Sequence, residues 1–272
     1  MDNSDLKQYL DFAKALALEA GTLMKRYFRA DDIATEWKED NTPLTIADTT
    51  INGLVIERVK KAYPEHGVLG EEDSFESKRD MLWVVDPIDG TMPFSAGLPI
   101  STFSLALVKN GVPQVGVVYD PFCDRLFTAI TGKGAYLNGK KIAVKTVDSL
   151  TNSYVNMETW GTENFLGDAK LLAIDGLREK LIEAGAKPFT LCSMVISGVL
   201  VASGDFSGSV FGVTKPEDIA ALKVIVEEAG GKVTDVDGNE QRYDRPIKGA
   251  IVSNGAVHDQ LIKIVQDAHT RH

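Results

Sequence analysis

From Leu6 to Phe28 the apolar residues fall at Leu6, Leu10, Ala13, Ala17, Ala20, Met24 and Phe28. Steps of three and four place them along one face of a helix. A second helix is expected from "TPLTIAD", with Thr42 as its cap and Pro43 at its first position. Its apolar side runs through Ile51, Leu54, Val55 and Val59, while Thr45 and Asp48 share a different side that reads as a solvated face. Short apolar runs at "HGVLGEE" and "MLWVVD" predict strands, the second ending at Asp86 because Pro87 pushes it toward extended backbone and closes the element. "STFSLALVKNGVPQVGVVYDP", "DRLFTAI" and "GAYLNGKKI", with turns at Asn110-Gly111 and Asn138-Gly139, predict an antiparallel meander.

Beyond about residue 148 the texture changes, with helices expected at 165–184 and 216–229 among short strands. The run from Val195 to Val213 carries Asp205, four glycines and four serines, which suits a buried helix–turn–strand rather than a membrane span. "GAIVSN" reads as a strand, and a closing helix from Ala256 to Asp267 has Asn254 as its cap. "TDVDGNEQRYD" resembles a calcium loop only superficially: its Gly comes too early and no bidentate Glu follows, so a hairpin turn at Asp237-Gly238 is expected. The final "TRH" is expected to fray. The pattern divides into two intimately packed α/β halves, residues 1–147 and 148–272.

Composition narrows the partners. The chain has 272 residues, 44% hydrophobic, enough for a substantial core. Its 39 acidic against 29 basic residues give a net charge of −10, which argues against a nucleic-acid partner. A small phosphorylated ligand stays open, because bound cations can supply positive charge. Cys123 and Cys192 have no CxxC or Cys/His neighbourhood, and read as two free buried thiols, with one long-range disulfide as the alternative. "MDNSDLKQYL" lacks the basic and apolar regions of a signal peptide, so a soluble, cytoplasmic chain with no membrane partner is expected. His66, His258, His269 and His272 show no metal spacing.

Candidate chemistry concentrates in "WVVDPIDGT", residues 83–91. The strand delivers Asp86, the turn delivers Asp89, and Gly90 permits a tight bend with backbone N–H groups exposed at Gly90 and Thr91. Two close carboxylates repel unless a cation sits between them, and hard divalent ions take oxygen ligands. Taken alone, the spacing also fits a turn in which both aspartates serve as caps. Two further acidic clusters lie at element ends: Glu71 and Glu72 in "GEED", and Glu217 and Asp218 behind Pro216. Three such clusters beside apolar sequence look more like one shared site than like separate helix-dipole or surface chemistry.

"DPIDGT", an upstream "GEE", a Thr-x-x-Asp in a helix and a later "D-x-A-A…EAGG" resemble the inositol monophosphatase family over nearly the whole chain. The resemblance implies a layered αβαβα sandwich of the inositol monophosphatase/fructose-1,6-bisphosphatase type, and a Mg²⁺-dependent, lithium-sensitive phosphomonoesterase. Two to three Mg²⁺ ions per active site, a homodimer and a small phosphorylated metabolite as partner come with it. Glu71, Asp86, the carbonyl of Ile88, Asp89 and Asp218 match the metal ligands. Lys38, Thr45 and Asp48 match the polar group beside the attacking water, which Glu71 and Thr91 orient; Gly90 and Thr91 match the phosphate donors. Two metal ions about 3.5–4 Å apart can clamp the attacking and leaving oxygens of an in-line displacement.

The chain departs from the family pattern at Pro93 (usually Asn), at Glu217 (usually Trp), and at Phe211, where inositol-specific members carry a Glu that binds ring hydroxyls. With Phe211 in the substrate pocket, a broad phosphatase of inositol-1-phosphate-type polyol esters is expected. "KPEDIAAL" is similar to the histidinol-phosphatase-like branch, so histidinol phosphate, fructose bisphosphate and nucleotide 3′-phosphate stand as alternatives. A regulatory or scaffolding protein with residual activity is the alternative of another class.

Overall fold

Helix α1 (Asn3–Tyr27) forms on the apolar periodicity set out above, and burial falls on the same face: Ala13, Ala17, Ala20 and Met24 are fully covered. The structure, a computed structural model, describes residues 3–29, 35–37, 43–158 and 174–269. Lys38, Thr42, residues 165–173 and the terminal "TRH" lie outside the described residues. A two-stranded ribbon, β1 (Thr35–Trp37) and β2 (Pro43–Thr45), leads into α2 (Ile46–Ala62).

The second helix therefore starts three residues later than expected. Pro43 and Leu44 pair with β1, and Thr45 becomes the cap. Asp48 decides between the two threonines: its carboxylate accepts from the Thr45 N–H (2.8 Å) and the Thr45 hydroxyl (2.6 Å), which satisfies helix-start donors. Thr45 and Asp48 are buried, at 1% and 0% exposure, so the expected solvated face is not what forms.

A seven-stranded sheet follows, built from β3 (Gly67–Gly70), β4 (Met81–Asp89), β5 (Thr102–Lys109), β6 (Val112–Asp120), β7 (Arg125–Ile130), β8 (Ala135–Leu137) and β9 (Lys140–Ile142), in that spatial order. A short helix, α3 (Thr91–Ser95), follows β4. Strands β3 and β4 are parallel and the rest form the expected antiparallel meander. Asn110-Gly111 and Asn138-Gly139 turn it, each with positive φ at both residues. The continuous apolar run of β4 reflects burial on both faces: Trp83 and Val85 face α1 and α2, while Leu82 and Val84 face the other side.

That other side is covered by α5 (Met194–Ala202) and α6 (Pro216–Glu228), whose far faces meet a five-stranded sheet. Its strands are β10 (Tyr154–Glu158), β11 (Lys187–Phe189), β12 (Gly208–Phe211), β13 (Lys232–Thr234) and β14 (Ala250–Ser253), ordered 11-10-12-14-13. Helices α4 (Ile174–Glu183) and α7 (His258–His269) close the stack through Leu177, Leu181, Leu261 and Val265. Helices, sheet, helices, sheet, helices: this is the αβαβα sandwich. Residues 195–213 form the expected helix, turn and strand, and Asn254 accepts from the Val257 N–H at the start of α7 (3.1 Å). The Asp237-Gly238 turn is tied by the Asp235 carboxylate and lies in the long connection between β13 and β14, which pair antiparallel. No helix among the described residues is long and apolar enough to cross a membrane. Both cysteines are free; Cys123 is exposed on the turn after β6 and Cys192 half-buried, so neither is the fully buried thiol expected.

Gly116 on β6 sets how closely α6 can approach. A Cβ there would stand 2.6 Å from the Ala221 carbonyl oxygen, against helix backbone that cannot yield. Gly116→Ala is expected to cost about 1–3 kcal/mol by overpacking, read as a shift in urea-unfolding midpoint. An unchanged midpoint would show that the helix is free to move off the sheet.

Candidate active site

Asp86 and Asp89 lie on one continuous strand, contrary to the expectation that Pro87 ends it. In a regular strand, residues three apart face opposite sides. Here Asp86 pairs with Ser104 and Asp89 with Thr102, so β4 spends one residue more than β5. This bulge absorbs Pro87, which has no N–H to give a ladder, and turns both carboxylates into one cleft. Gly90 follows at φ 81°; a side chain there would meet the Ile100 carbonyl at 2.7 Å and Ser193 Cβ at 3.1 Å.

The third carboxylate comes from the other sheet's side of the molecule. Pro216 starts α6 and Asp218 sits in its first turn, where Oδ2 accepts from the Thr214 hydroxyl and the Lys215 N–H, both at 2.7 Å. Asp86, Asp89 and Asp218 each present an oxygen within 4.8 Å of the others. Asp89 is gripped from both halves: Thr102 donates to Oδ2 (3.1 Å), Ser193 donates to the same oxygen, and the Met194 N–H donates to Oδ1 (2.9 Å). Asp86 accepts from the Ile88 N–H at 3.0 Å. Glu71 lines the same cleft and pairs with Lys215 at 3.5 Å.

Burial pushes the Asp86 carboxyl well above its ordinary range, with Glu71, Asp89 and Asp218 adding to the push. Asp89 is raised to about 7, by burial first, against the hydrogen bond from Ser193. Asp218 is raised by burial and then by Glu71. These groups ionise together only if positive charge joins them. An oxygen-only, crowded donor set of this kind fits a hard divalent cation.

Thr91 connects this cluster to α2. Its hydroxyl lies 3.0 Å from the Ile88 carbonyl and 3.3 Å from Asp48 Oδ1, while Asp48 holds Thr45. Burial raises Asp48 to about 6, opposed by the bonds from Thr45. Thr45 and Asp48 thus stand behind Thr91, whereas Thr91 and Gly90 line the cleft. Phe211 does not: it is fully buried in the apolar layer with Leu222 and Val252. Its neighbour in register on β10, Glu158, lines the cleft instead, together with Met92, Cys192 and Met194. Glu217, the residue beside Asp218, is buried and raised to about 7 by that burial.

The model of the inositol monophosphatase family matches residues 5–270. The chain belongs to the inositol monophosphatase family. Among similar members, a fructose-1,6-bisphosphatase/inositol-1-monophosphatase of Thermotoga maritima is 34% identical over 95% of this chain and 96% of its own. A histidinol-phosphatase of Chlorobaculum parvum is 33% identical over 94% and 96%. A solved IMPase structure from Thermotoga maritima superposes with TM-score 0.85 at 31% identity, covering 97% of this chain and 98% of that one. This inositol monophosphatase family member is a phosphatase, a phosphoric monoester hydrolase, with the layered α+β fold of its relatives.

Sequence reasoning missed Ser193, Thr102 and Thr214, which hold the aspartates. Ser193 before the apolar run of α5 carries an N-cap signal, and its hydroxyl does accept from the Ile196 N–H (3.3 Å). Nothing in that signal points to Asp89, 104 residues away. Glu158 carried no local signal at all.

The raised carboxyls give a pH dependence. With folded values of about 6 for Asp48 and about 7 for Asp89 against 3.8, the folded state keeps protons that the unfolded chain has already lost. The cation-free protein therefore loses stability as pH rises from about 4 to about 7. A divalent cation needs the charged form, so Mg²⁺ should raise the melting temperature more at about pH 7.5 than at about pH 5. Equal gains at both would mean that these carboxylates do not hold the ion.

Proposed function

We propose that the chain is a Mg²⁺-dependent phosphomonoesterase of small phosphorylated alcohols, broad in range and including polyol esters of the inositol 1-phosphate type. The observation that carries this reading is the convergence of Asp86, Asp89 and Asp218 beside Thr91 in one cleft. Histidinol phosphate and fructose bisphosphate, which the names of the relatives suggest, belong to the same chemical range. Asp86, Asp89, Asp218, Glu71 and the Ile88 carbonyl would hold two to three ions. Bound there, Mg²⁺ supplies the positive charge that eases ionisation of water and departure of the alkoxide.

The residues have separate tasks. Thr91 spends its proton on Asp48 or the Ile88 carbonyl, which leaves its oxygen as an acceptor toward the cleft. A water hydrogen-bonded to that oxygen and to Glu71 is oriented for attack on phosphorus. Asp48, fixed by Thr45, keeps the Thr91 hydroxyl from turning. Gly90 and Thr91 match the family positions whose N–H groups hold phosphate, and Lys38 the polar residue near the water. Asp89 and Asp218 stand on the leaving-group side. Phosphoryl transfer arranged this way depends on position and charge, with no covalent intermediate.

The division we infer runs between residues 1–147 and 148–272, and the active site completes across it. We further take the protein to be cytoplasmic and to assemble as a homodimer, so a monomer mass at micromolar concentration would refute the assembly. A regulatory role without turnover is disfavoured by the full carboxylate set.

Chelation is expected to abolish phosphate release, added Mg²⁺ to restore it and millimolar Li⁺ to inhibit. Asp89→Asn and Asp218→Asn should each lower kcat by several orders of magnitude in a folded protein, because each removes one charge from the ion site. Near-wild-type turnover of the Asp218 variant would exclude α6 from the site.

A further inference from the structure

Lys215 touches the carboxylate site at two points. It precedes Pro216 at the start of α6, and its N–H donates to Asp218 Oδ2 (2.7 Å). Its backbone is therefore fixed by one of the three clustered aspartates. Its side chain runs to another part of the site, where Nζ lies 3.5 Å from Glu71 Oε1. Glu71 is held as well, since its N–H donates to the Val85 carbonyl on β4 (3.3 Å). The two ends of the pair meet from anchored backbones, 144 positions apart in sequence. Glu71 lines the cleft, whereas no Lys, Arg or His does so among the described residues. Lys215 lines the adjoining cavity instead, with Glu217 and Lys78. The ammonium thus acts on Glu71 from outside the cleft.

We propose that Lys215 is a positioning residue: it holds Glu71 as an internal counter-ion and, by competing for that carboxylate, keeps the divalent cation there weakly bound and exchangeable. The inference rests on the metal-dependent phosphatase reading above. A cation coordinated by Glu71 has to share the carboxylate with an ammonium or displace it. Two effects of the pair oppose each other. It restrains Glu71, which favours binding by ordering a ligand in advance. It also places a positive charge beside a site for a doubly positive ion, which opposes binding. Restraint is the smaller effect, because Lys215 keeps 45% of its side chain exposed and such pairs order their partners little. Repulsion scales with the product of the charges, so against a divalent ion it is twice that between single charges. Repulsion wins. The same charge is felt at Asp218, whose carboxyl is raised by burial and by Glu71 and drawn down by Lys215.

The test is Mn²⁺ binding, read from the spin-resonance signal of the free ion, which needs no turnover. Lys215→Met keeps an unbranched apolar stem and removes the charge. At low salt it should bind Mn²⁺ about three- to tenfold more tightly than wild type. Lys215→Arg, which restores the charge, should bind as wild type does. In about 1 M KCl, where screening acts within about 3 Å, the gap between Lys215→Met and wild type should close to within about twofold. The Mg²⁺ concentration that half-saturates phosphate release should fall in Lys215→Met as its Mn²⁺ affinity rises. Equal or weaker Mn²⁺ binding by Lys215→Met would overturn the proposal, since a residue that only orders Glu71 weakens the site when lost. An Arg variant that binds like the Met variant, or a gap untouched by salt, would overturn it too. Tighter Mn²⁺ binding by Lys215→Met, with no ester hydrolysed by either protein, would uphold Lys215 and sink the phosphatase reading. Wild type that binds no Mn²⁺ sinks the metal site and the proposal together.

Discussion

Three buried carboxylates, Asp86, Asp89 and Asp218, within 4.8 Å of one another are a standing electrostatic conflict. Like charges repel more strongly as water is removed, and hydrogen bonds soften that repulsion without cancelling it. The protein surrounds the cluster with donors: Thr102, Ser193, Thr214, and the N–H groups of Ile88, Met194 and Lys215. None of those donors carries a full positive charge to the oxygens. The Lys215 ammonium pairs with Glu71. A bound metal ion would resolve the conflict, and much of the surrounding fold can be understood as holding the oxygens in place for one.

That holding is done by both sheets. The bulge at Pro87 points two aspartates the same way, and α6 brings the third on a helix start packed closely on β6 at Gly116. Ser193 and Met194, at the start of α5, reach across to Asp89. The middle helical layer is therefore both the largest apolar contact between the sheets and the support of the site. Loosening it would separate ligands as well as core.

How much of this can be read along the chain follows from the range of each interaction. Asp86, Asp89 and Asp218 are legible because each stands beside a Pro or Gly next to apolar sequence, and the burial of β4 on both faces is legible in its unbroken apolar run. The start of α2 was misplaced because Thr42 and Thr45 both satisfy the local rule; only the carboxylate of Asp48 and the pairing of Pro43 separate them. Pro87 ends a strand by local preference, yet a bulge on a paired strand accommodates it. Phe211 occupies the right place in sequence order and the wrong face in space, while Glu158, 53 positions earlier by its number, reaches the cleft from the neighbouring strand. Cross-strand proximity leaves no mark in a single sequence.

The most direct test of the central claim is where a divalent ion sits. Crystals grown with Mn²⁺, measured at a wavelength where manganese scatters anomalously, would locate it without reference to activity. The account predicts an anomalous peak among the carboxylates of Asp86, Asp89 and Asp218, lost in Asp218→Asn or displaced toward Glu71. A fully occupied peak elsewhere, with the three aspartates left empty and hydrogen-bonded only to the protein, would contradict it.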